Sequence, residues 1–377
     1  MSAAPAPAHV DTEPDWRRIQ DAKLEQLGRA MDEVGMDVIV VQDMHTLRWL
    51  TAYSPFMRIL PPTAQVAVWR PGGPVALVPI PYYADDARRR APWLDVIEPD
   101  PGATIEDQVL ELVDGAPVAG LMGVTWSLGT TLSGPSHCGD ASGVVGATRA
   151  AKVPGEASLV RRALAVAEVG MQAAAESIRA GVSEQEVAAE AERAMRVLGG
   201  DGHAIVARGA TAAGLTELAG AARFAAGDCV LVDLGCYLDG YRGEFARTFC
   251  VGEPAADLRD AHHAVTRAIE DAERALRAGG AASAPAEAAR DCLEGLGFPP
   301  RTLPHPVGHG IGVSGGERPG IERGSTDVIP VHSVVNLEPG VFDPARDLAV
   351  RIEDAYEIAG GEARRITTRP RDLVCCA

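Results

Sequence analysis

The 377-residue chain is 46% apolar and 23% charged, enough apolar material for packed cores and too much for an intrinsically disordered protein. With 35 Lys and Arg against 52 Asp and Glu its formal charge is −17, which argues against nucleic acid or an anionic membrane as partner, because phosphates would be repelled. Its seven cysteines form no CxxC pair and read as reduced thiols of a cytoplasmic protein, and its two lysines, Lys23 and Lys152, leave Schiff-base chemistry almost nowhere to reside.

In chain order, residues 1–15 are rich in Ala and Pro and read as a flexible arm, without the basic and apolar stretches of a secretory leader. Ile19, Leu24, Leu27 and Met31 recur at helical spacing and predict a helix from Trp16 to about Val34. Short apolar runs follow: DVIVV at Asp37–Val41, AQVAVW around Val66, PVALVPI around Leu77 and PVAGLMGV around Leu121. A helix over Ile105–Leu112 separates the last two, and the alternation predicts an α/β domain over residues 16–150. The Gly-, Ser- and Thr-rich stretch from Leu128 to Ser142 reads as loop. No run reaches the roughly 18 apolar residues that a spanning helix requires.

The second domain, over residues 151–377, changes character. A long Ala-rich helix runs from Glu156 to about Ala180, and Ser183 with Glu186 forms a capping box that opens another, ending at Gly199-Gly200. CVLVDLG and GEFARTFCVG flank Asp239-Gly240, a hairpin signal. Helices over Ala256–Ala278 and Pro285–Leu296 come next, and SVVNLEP with LAVRIEDAYEI predicts a second strand pair. The order helix–helix–hairpin thus occurs twice and suggests two similar halves.

The informative residues are carboxylates where strands favour apolar side chains: Asp233 in VLVDLG, Glu244 in GEFART, Glu338 in VVNLEPG and Glu353 in VRIEDA. A buried carboxylate costs several kcal/mol unless it is paired or binds a cation, so these four require a shared counter-charge. A two-residue turn at Asp239-Gly240 pairs 238 with 241 and 235 with 244, which makes Asp233 and Glu244 diagonal neighbours about 7–8 Å apart. His309, in GHGIG, offers a nitrogen ligand. Four carboxylates and an imidazole form a mostly hard donor set suited to Mn²⁺, Fe²⁺, Co²⁺ or Zn²⁺, able to hold two ions and activate a bridging water. The competing reading is a buried ion-pair network with arginines such as Arg247 and Arg351.

The pieces DLGCYLDGYRGEFARTF, HPVGHGIG, NLEPGVF and VRIED resemble, in order, the motifs of the M24 "pita-bread" metallopeptidases: Xaa-Pro aminopeptidases, prolidases, methionine aminopeptidases and the related creatinases. The resemblance covers residues 150–365, and DMHTLRWLTAY around Trp49 is similar to the creatinase-type amino-terminal domain. It implies a creatinase-type α/β domain followed by an α+β pita-bread domain with pseudo-twofold halves, and a cytoplasmic homodimer. It also implies one or two divalent transition-metal ions at Asp233, Glu244, His309, Glu338 and Glu353, with His305 near the site.

Three positions depart from the family's pattern. Position 244 is Glu instead of Asp. A substrate-binding histidine expected 17 residues before Asp233 is Thr216, and one expected seven residues after His309 is Gly316. His203, in GDGHAIVARG, is a replacement group from a nearby strand, Arg351 orients Glu353 or a substrate carboxylate, and Tyr241 follows the turn beside the substrate side. The resemblance therefore implies an Xaa-Pro aminopeptidase- or dipeptidase-like hydrolase of a short peptide or small molecule, with Glu338 as proton shuttle and His305 or His203 polarising the scissile carbonyl. Two alternatives keep the fold: changed chemistry, such as a lyase or amidinohydrolase reaction on a small non-peptide substrate, or a non-catalytic binding module.

Overall fold

The structure, a computed structural model, describes residues 13–53, 64–98, 100–134, 136–209 and 219–377. Most of the arm expected over residues 1–15 and position Thr216 lie outside the described residues. The chain divides into two units, one over Pro14–Arg149 with Val153–Gly155, the other over Ala150–Lys152 and Glu156–Ala377.

The first unit contains α1 (Trp16–Val34), β1 (Val38–Val41), α2 (Met44–Thr51), β2 (Val66–Trp69), β3 (Ala76–Val78), α3 (Ala84–Arg90), β4 (Asp95–Val96), α4 (Ile105–Val113), β5 (Val118–Met122), α5 (Trp126–Leu132), β6 (His137–Asp140) and α6 (Ser142–Ala150). The strands form one mixed sheet in the order β4-β3-β2-β1-β5-β6, with Val38, Val40, Val66 and Val68 in its core. The Asp15 carboxylate accepts the Arg18 amide to start α1, and Gly35, at φ 70°, ends it. The stretch read as loop at 128–142 is corrected to a helix, an edge strand and the start of another helix. The Thr125 hydroxyl caps α5 by accepting the Leu128 amide, and α5 carries Gly129 in its middle. Strand β6 pairs with β5 alone at the sheet edge, so it stays largely exposed and keeps the polar composition that disguises it.

The second unit contains α7 (Glu156–Ser177), α8 (Glu184–Val197), β7 (Asp201–Arg208), β8 (Cys229–Leu238), β9 (Tyr241–Val251), α9 (Ala256–Ala275), α10 (Ser283–Gly295), β10 (Gly308–Gly310), β11 (Glu317–Ile321), β12 (Val334–Leu337), β13 (Gly340–Asp343), β14 (Leu348–Arg351), β15 (Asp354–Ala359), β16 (Glu362–Arg365) and β17 (Val374–Cys376). Its sheets run β17-β9-β8-β7, β11-β10-β12-β15-β16 and β13-β14. Helices α7 and α8 share a core with the first sheet through Val166, Met171, Met195, Val232 and Phe245. Helices α9 and α10 do the same with the second through Val265, Ile269, Val335 and Ile358. The Ser183–Glu186 capping box is formed, and Asp239 and Gly240 both turn with positive φ, the twist a two-residue hairpin needs. Among the described residues no helix is long and apolar enough to cross a membrane.

The expected pairing of SVVNLEP with LAVRIEDAYEI forms through the second half of the latter run, while its first half pairs in a separate sheet. Strand β12 pairs with β15, Val334 opposite Glu357, whereas β13 pairs with β14, Gly340 opposite Arg351. The chain therefore changes sheet at Glu338-Pro339, where SVVNLEP ends, and again at Ile352-Glu353, inside LAVRIEDAYEI. Pro339 has no N–H for a ladder, and the freed amides find other partners: Glu338 donates to the Val307 carbonyl at 2.7 Å and Glu353 to the Ala246 carbonyl at 3.1 Å.

Strand β9 crosses α7 closely because Gly243 has no side chain. A Cβ there would overlap the backbone nitrogen and Cα of Leu164, and neither can rotate away. Gly243→Ala is expected to lower stability by about 3 kcal/mol, read as the urea midpoint; a change below about 0.5 kcal/mol would show that the contact is loose.

Candidate metal centre

Five elements converge on one acidic cluster in the second unit. Strand β8 supplies Asp233 and β9 supplies Glu244, in the register expected from the hairpin, with Gly235 opposite Glu244 and Asp233 opposite Ala246. Strand β10 supplies His309, and the two sheet-changing junctions supply Glu338 and Glu353. Placing both glutamates at junctions frees their side chains from the alternation of a regular strand. Glu353 is only 2% exposed, and Glu244 and Glu338 are also buried.

His309 Nε2 lies 3.7 Å from Glu244 Oε1 and 3.6 Å from Glu338 Oε1. Its Nδ1 faces the Gly310 carbonyl at 3.0 Å and the Gly316 amide at 3.1 Å. Nδ1 accepts the Gly316 amide in one tautomer and donates to the Gly310 carbonyl in the other, and the second leaves the Nε2 lone pair turned to the carboxylates. Glu353 Oε1 accepts from Asn336 Nδ2 at 2.6 Å. One ligand atom each from Glu244, His309 and Glu353 falls within 4.8 Å of the others.

Two guanidinium groups enter the cluster. Arg351 Nη1 donates to Asp233 Oδ2 at 2.6 Å and lies 3.2 Å from Glu338 Oε2. Its Nη2 meets His305 Nε2 at 2.7 Å. Arg242 binds Glu244 Oε2 through Nε and meets His203 Nε2 at 3.1 Å through Nη2. Gly235 stands between His203 and Glu244 across the sheet, and a Cβ there would come within 2.9 Å of both the Arg242 guanidinium and the His203 ring. Its missing side chain makes the space through which Arg242 crosses. Arg247, the other arginine considered as a partner, goes elsewhere: its Nη2 donates to Asp354 at 2.6 Å and its Nη1 to the Glu353 carbonyl at 2.7 Å.

These surroundings set the charge states. Burial, reinforced by Asp233, Glu338 and Glu244, raises the Glu353 carboxyl well above the usual carboxylate range. Burial raises Glu338 too, against the opposing pull of Arg351 and His309. Burial and then Arg351 push His305 down to about 3, and burial and then Arg242 lower His203. Both histidines are therefore neutral, each with Nε2 accepting from a guanidinium. His305 Nδ1 is held 2.6 Å from the Pro306 carbonyl.

The other sequence-derived positions separate. Gly316 has no side chain to offer and brings its amide to His309. Tyr241 turns from the cluster into the interior, where its hydroxyl donates to Glu156 at 2.8 Å. Arg242 and Asn336 went unread in the sequence although each carried a signal. Arg242 is two residues from Glu244 on one strand and so shares its face, and Asn336 is a polar side chain inside the apolar run VVNL, directly opposite His309.

The donors fit a divalent cation at one place. Glu244 Oε1 is buried without a hydrogen-bond partner and faces His309 Nε2, an arrangement that costs free energy until a cation enters. Two carboxylates and an imidazole suit a hard or borderline ion. Asp233 and Glu338 instead already hold Arg351.

A sequence model of metallopeptidase family M24 matches residues 158–359, more than half of the chain. The chain is 31% identical over 229 residues to an Xaa-Pro dipeptidase of Pyrococcus furiosus, a match covering 60% of this chain and 65% of that relative, so just under two thirds of its length. It is 26% identical over 362 residues to the uncharacterized peptidase YqhT of Bacillus subtilis, covering 93% and 99% of the two chains. The solved structure of an Xaa-Pro dipeptidase from Bacillus anthracis superposes with a TM-score of 0.84 at 27% identity, covering 94% of this chain and 99% of that one.

Proposed function

The chain belongs to metallopeptidase family M24, with the pita-bread fold behind an α/β domain, and on that premise we propose that it is a metal-dependent hydrolase of Xaa-Pro dipeptides or similar short substrates. The observation that carries the reading is the convergence of Glu244, His309 and Glu353 within 4.8 Å around the unpartnered Glu244 Oε1. An ion held there would supply Lewis acidity and a water of lowered pKa. Glu338, with Oε1 3.6 Å from His309 Nε2 and a proton affinity raised by burial, takes and returns the proton during C–N cleavage. Arg351 fixes Glu338 and Asp233, and His305 fixes Arg351, so His305 acts by positioning. His203 does the same for Arg242. Reduced cysteines support cytoplasmic residence, and a homodimer completes the proposal.

The test is hydrolysis of a panel of Xaa-Pro dipeptides by protein loaded with Mn²⁺, Fe²⁺, Co²⁺ or Zn²⁺. Turnover that a chelator abolishes and fresh ion restores is expected; a loaded protein inert on the whole panel would overturn the peptidase reading. A second reading retains the ion site and changes the substrate to a small non-peptide molecule cleaved by a lyase or amidinohydrolase reaction. It is favoured by Gly316, which brings only an amide to His309, and by Arg242, which fills the space between Glu244 and His203.

A further inference from the structure

We infer that this centre takes a single divalent cation, at Glu244, His309 and Glu353, and that Arg351 stands where a second cation would be needed to balance Asp233 and Glu338. The inference rests on the metal-dependent reading above and narrows it. Arg351 is fixed on several sides. Nη1 serves Asp233 at 2.6 Å and Glu338 at 3.2 Å, Nη2 serves His305 at 2.7 Å, and the guanidinium lies 5.6 Å from the centre of the Phe342 ring. His305 is itself anchored, through the Pro306 carbonyl and an edge contact with Phe342 at 5.5 Å. A guanidinium does not lose its proton in proteins, so Arg351 cannot yield to a cation by neutralising and would have to leave physically.

Charge gives the same answer independently. Four carboxylates against the guanidinium groups of Arg242 and Arg351 leave two negative charges, the complement of one divalent ion. A second divalent ion would leave an equal positive excess in a site whose acids are buried or nearly so. The donor geometry concurs. Among the described residues, the group of three metal-ligating side chains with converging atoms is Glu244, His309 and Glu353, and Asp233 is outside it.

The experiment uses full-length protein stripped with chelator, saturated with Mn²⁺, freed of unbound ion and examined by elemental analysis and electron paramagnetic resonance. One Mn per chain with the six-line signal of an isolated ion is expected. Asp233→Asn should retain the ion with Kd within about threefold, whereas Glu353→Gln should weaken it by about 100-fold or more. Arg351→Met should admit a second Mn and produce an exchange-coupled spectrum. Two coupled Mn ions in the unaltered protein would overturn the inference while leaving the metal-dependent reading intact, and so would loss of all Mn in a folded Asp233→Asn protein. A native chain that takes up no ion would overturn both. If Arg351→Met does not fold, the stoichiometry of the unaltered chain decides alone.

Discussion

Glu353→Gln is expected to lower kcat/KM by about 10³-fold while making the metal-free protein more stable by about 2 kcal/mol at pH 8. The two signs come from one cause. Glu353 is 2% exposed and surrounded by Asp233, Glu338 and Glu244, so its ionised form is costly in the absence of a cation. Gln keeps a carbonyl oxygen that can accept from Asn336 Nδ2, and it removes the charge. The pH dependence follows from the raised carboxyl. The folded state holds a proton that the unfolded chain releases near the ordinary carboxylate value, so the native residue's cost is absent below that value. The cost grows as pH rises and is complete above the folded value. The advantage of Gln in thermal melts should therefore widen from pH 4 toward pH 8. Saturating Mn²⁺ should reverse it, because only the native side chain gains from the ion. A Gln variant equally stable at every pH would mean that the acid finds a counter-charge without metal.

How much of this was legible depended on whether a residue's role was local. The hairpin was readable because Asp239-Gly240 determines the turn and the turn determines the parity, which places Gly235 opposite Glu244. The helix start at Ser183 was equally local, since a cap needs only its own first turn. The sheet changes at Glu338 and Glu353 were not. The pairing of β15 with β12 was expected, but an unbroken run such as LAVRIEDAYEI gives no sign that its first half, β14, belongs with β13 in another sheet, because the choice of partner is made by distant strands. The elements hidden in the stretch read as loop at 128–142 failed for the opposite reason, an edge strand and a short capped helix being free to carry loop-like residues. Within the site, the acids and His309 stood out against apolar surroundings. Which arginine serves which acid did not, because an arginine reads as a surface residue until a buried partner is known. Arg351 and Arg247 illustrate this: both were plausible partners for the acids, yet the first serves Asp233 and the second Asp354.

Glu244→Asp is the substitution that restores the residue usual in M24 motifs, and here it should do harm: ion affinity is expected to fall about tenfold, with a parallel fall in activity. Glu244 serves two masters. Its Oε2 holds Arg242, and its Oε1 is unpartnered and faces His309. The extra methylene spans both. The shorter Asp must give up one, and a buried guanidinium left unpaired costs more than an unfilled ion site, so the ion loses. Arg242→Ala alone should destabilise the metal-free protein by about 3 kcal/mol, because it strands the Glu244 carboxylate in the interior, and should tighten ion binding for the same reason. In the double variant Asp is released from Arg242 and free to serve the ion, so affinity should recover toward the native value. The cycle would show coupling of about 1 kcal/mol or more between two residues on one strand. Additive losses in the double variant would mean that Arg242 and Glu244 act separately. A silent Glu244→Asp would make the longer side chain a neutral replacement.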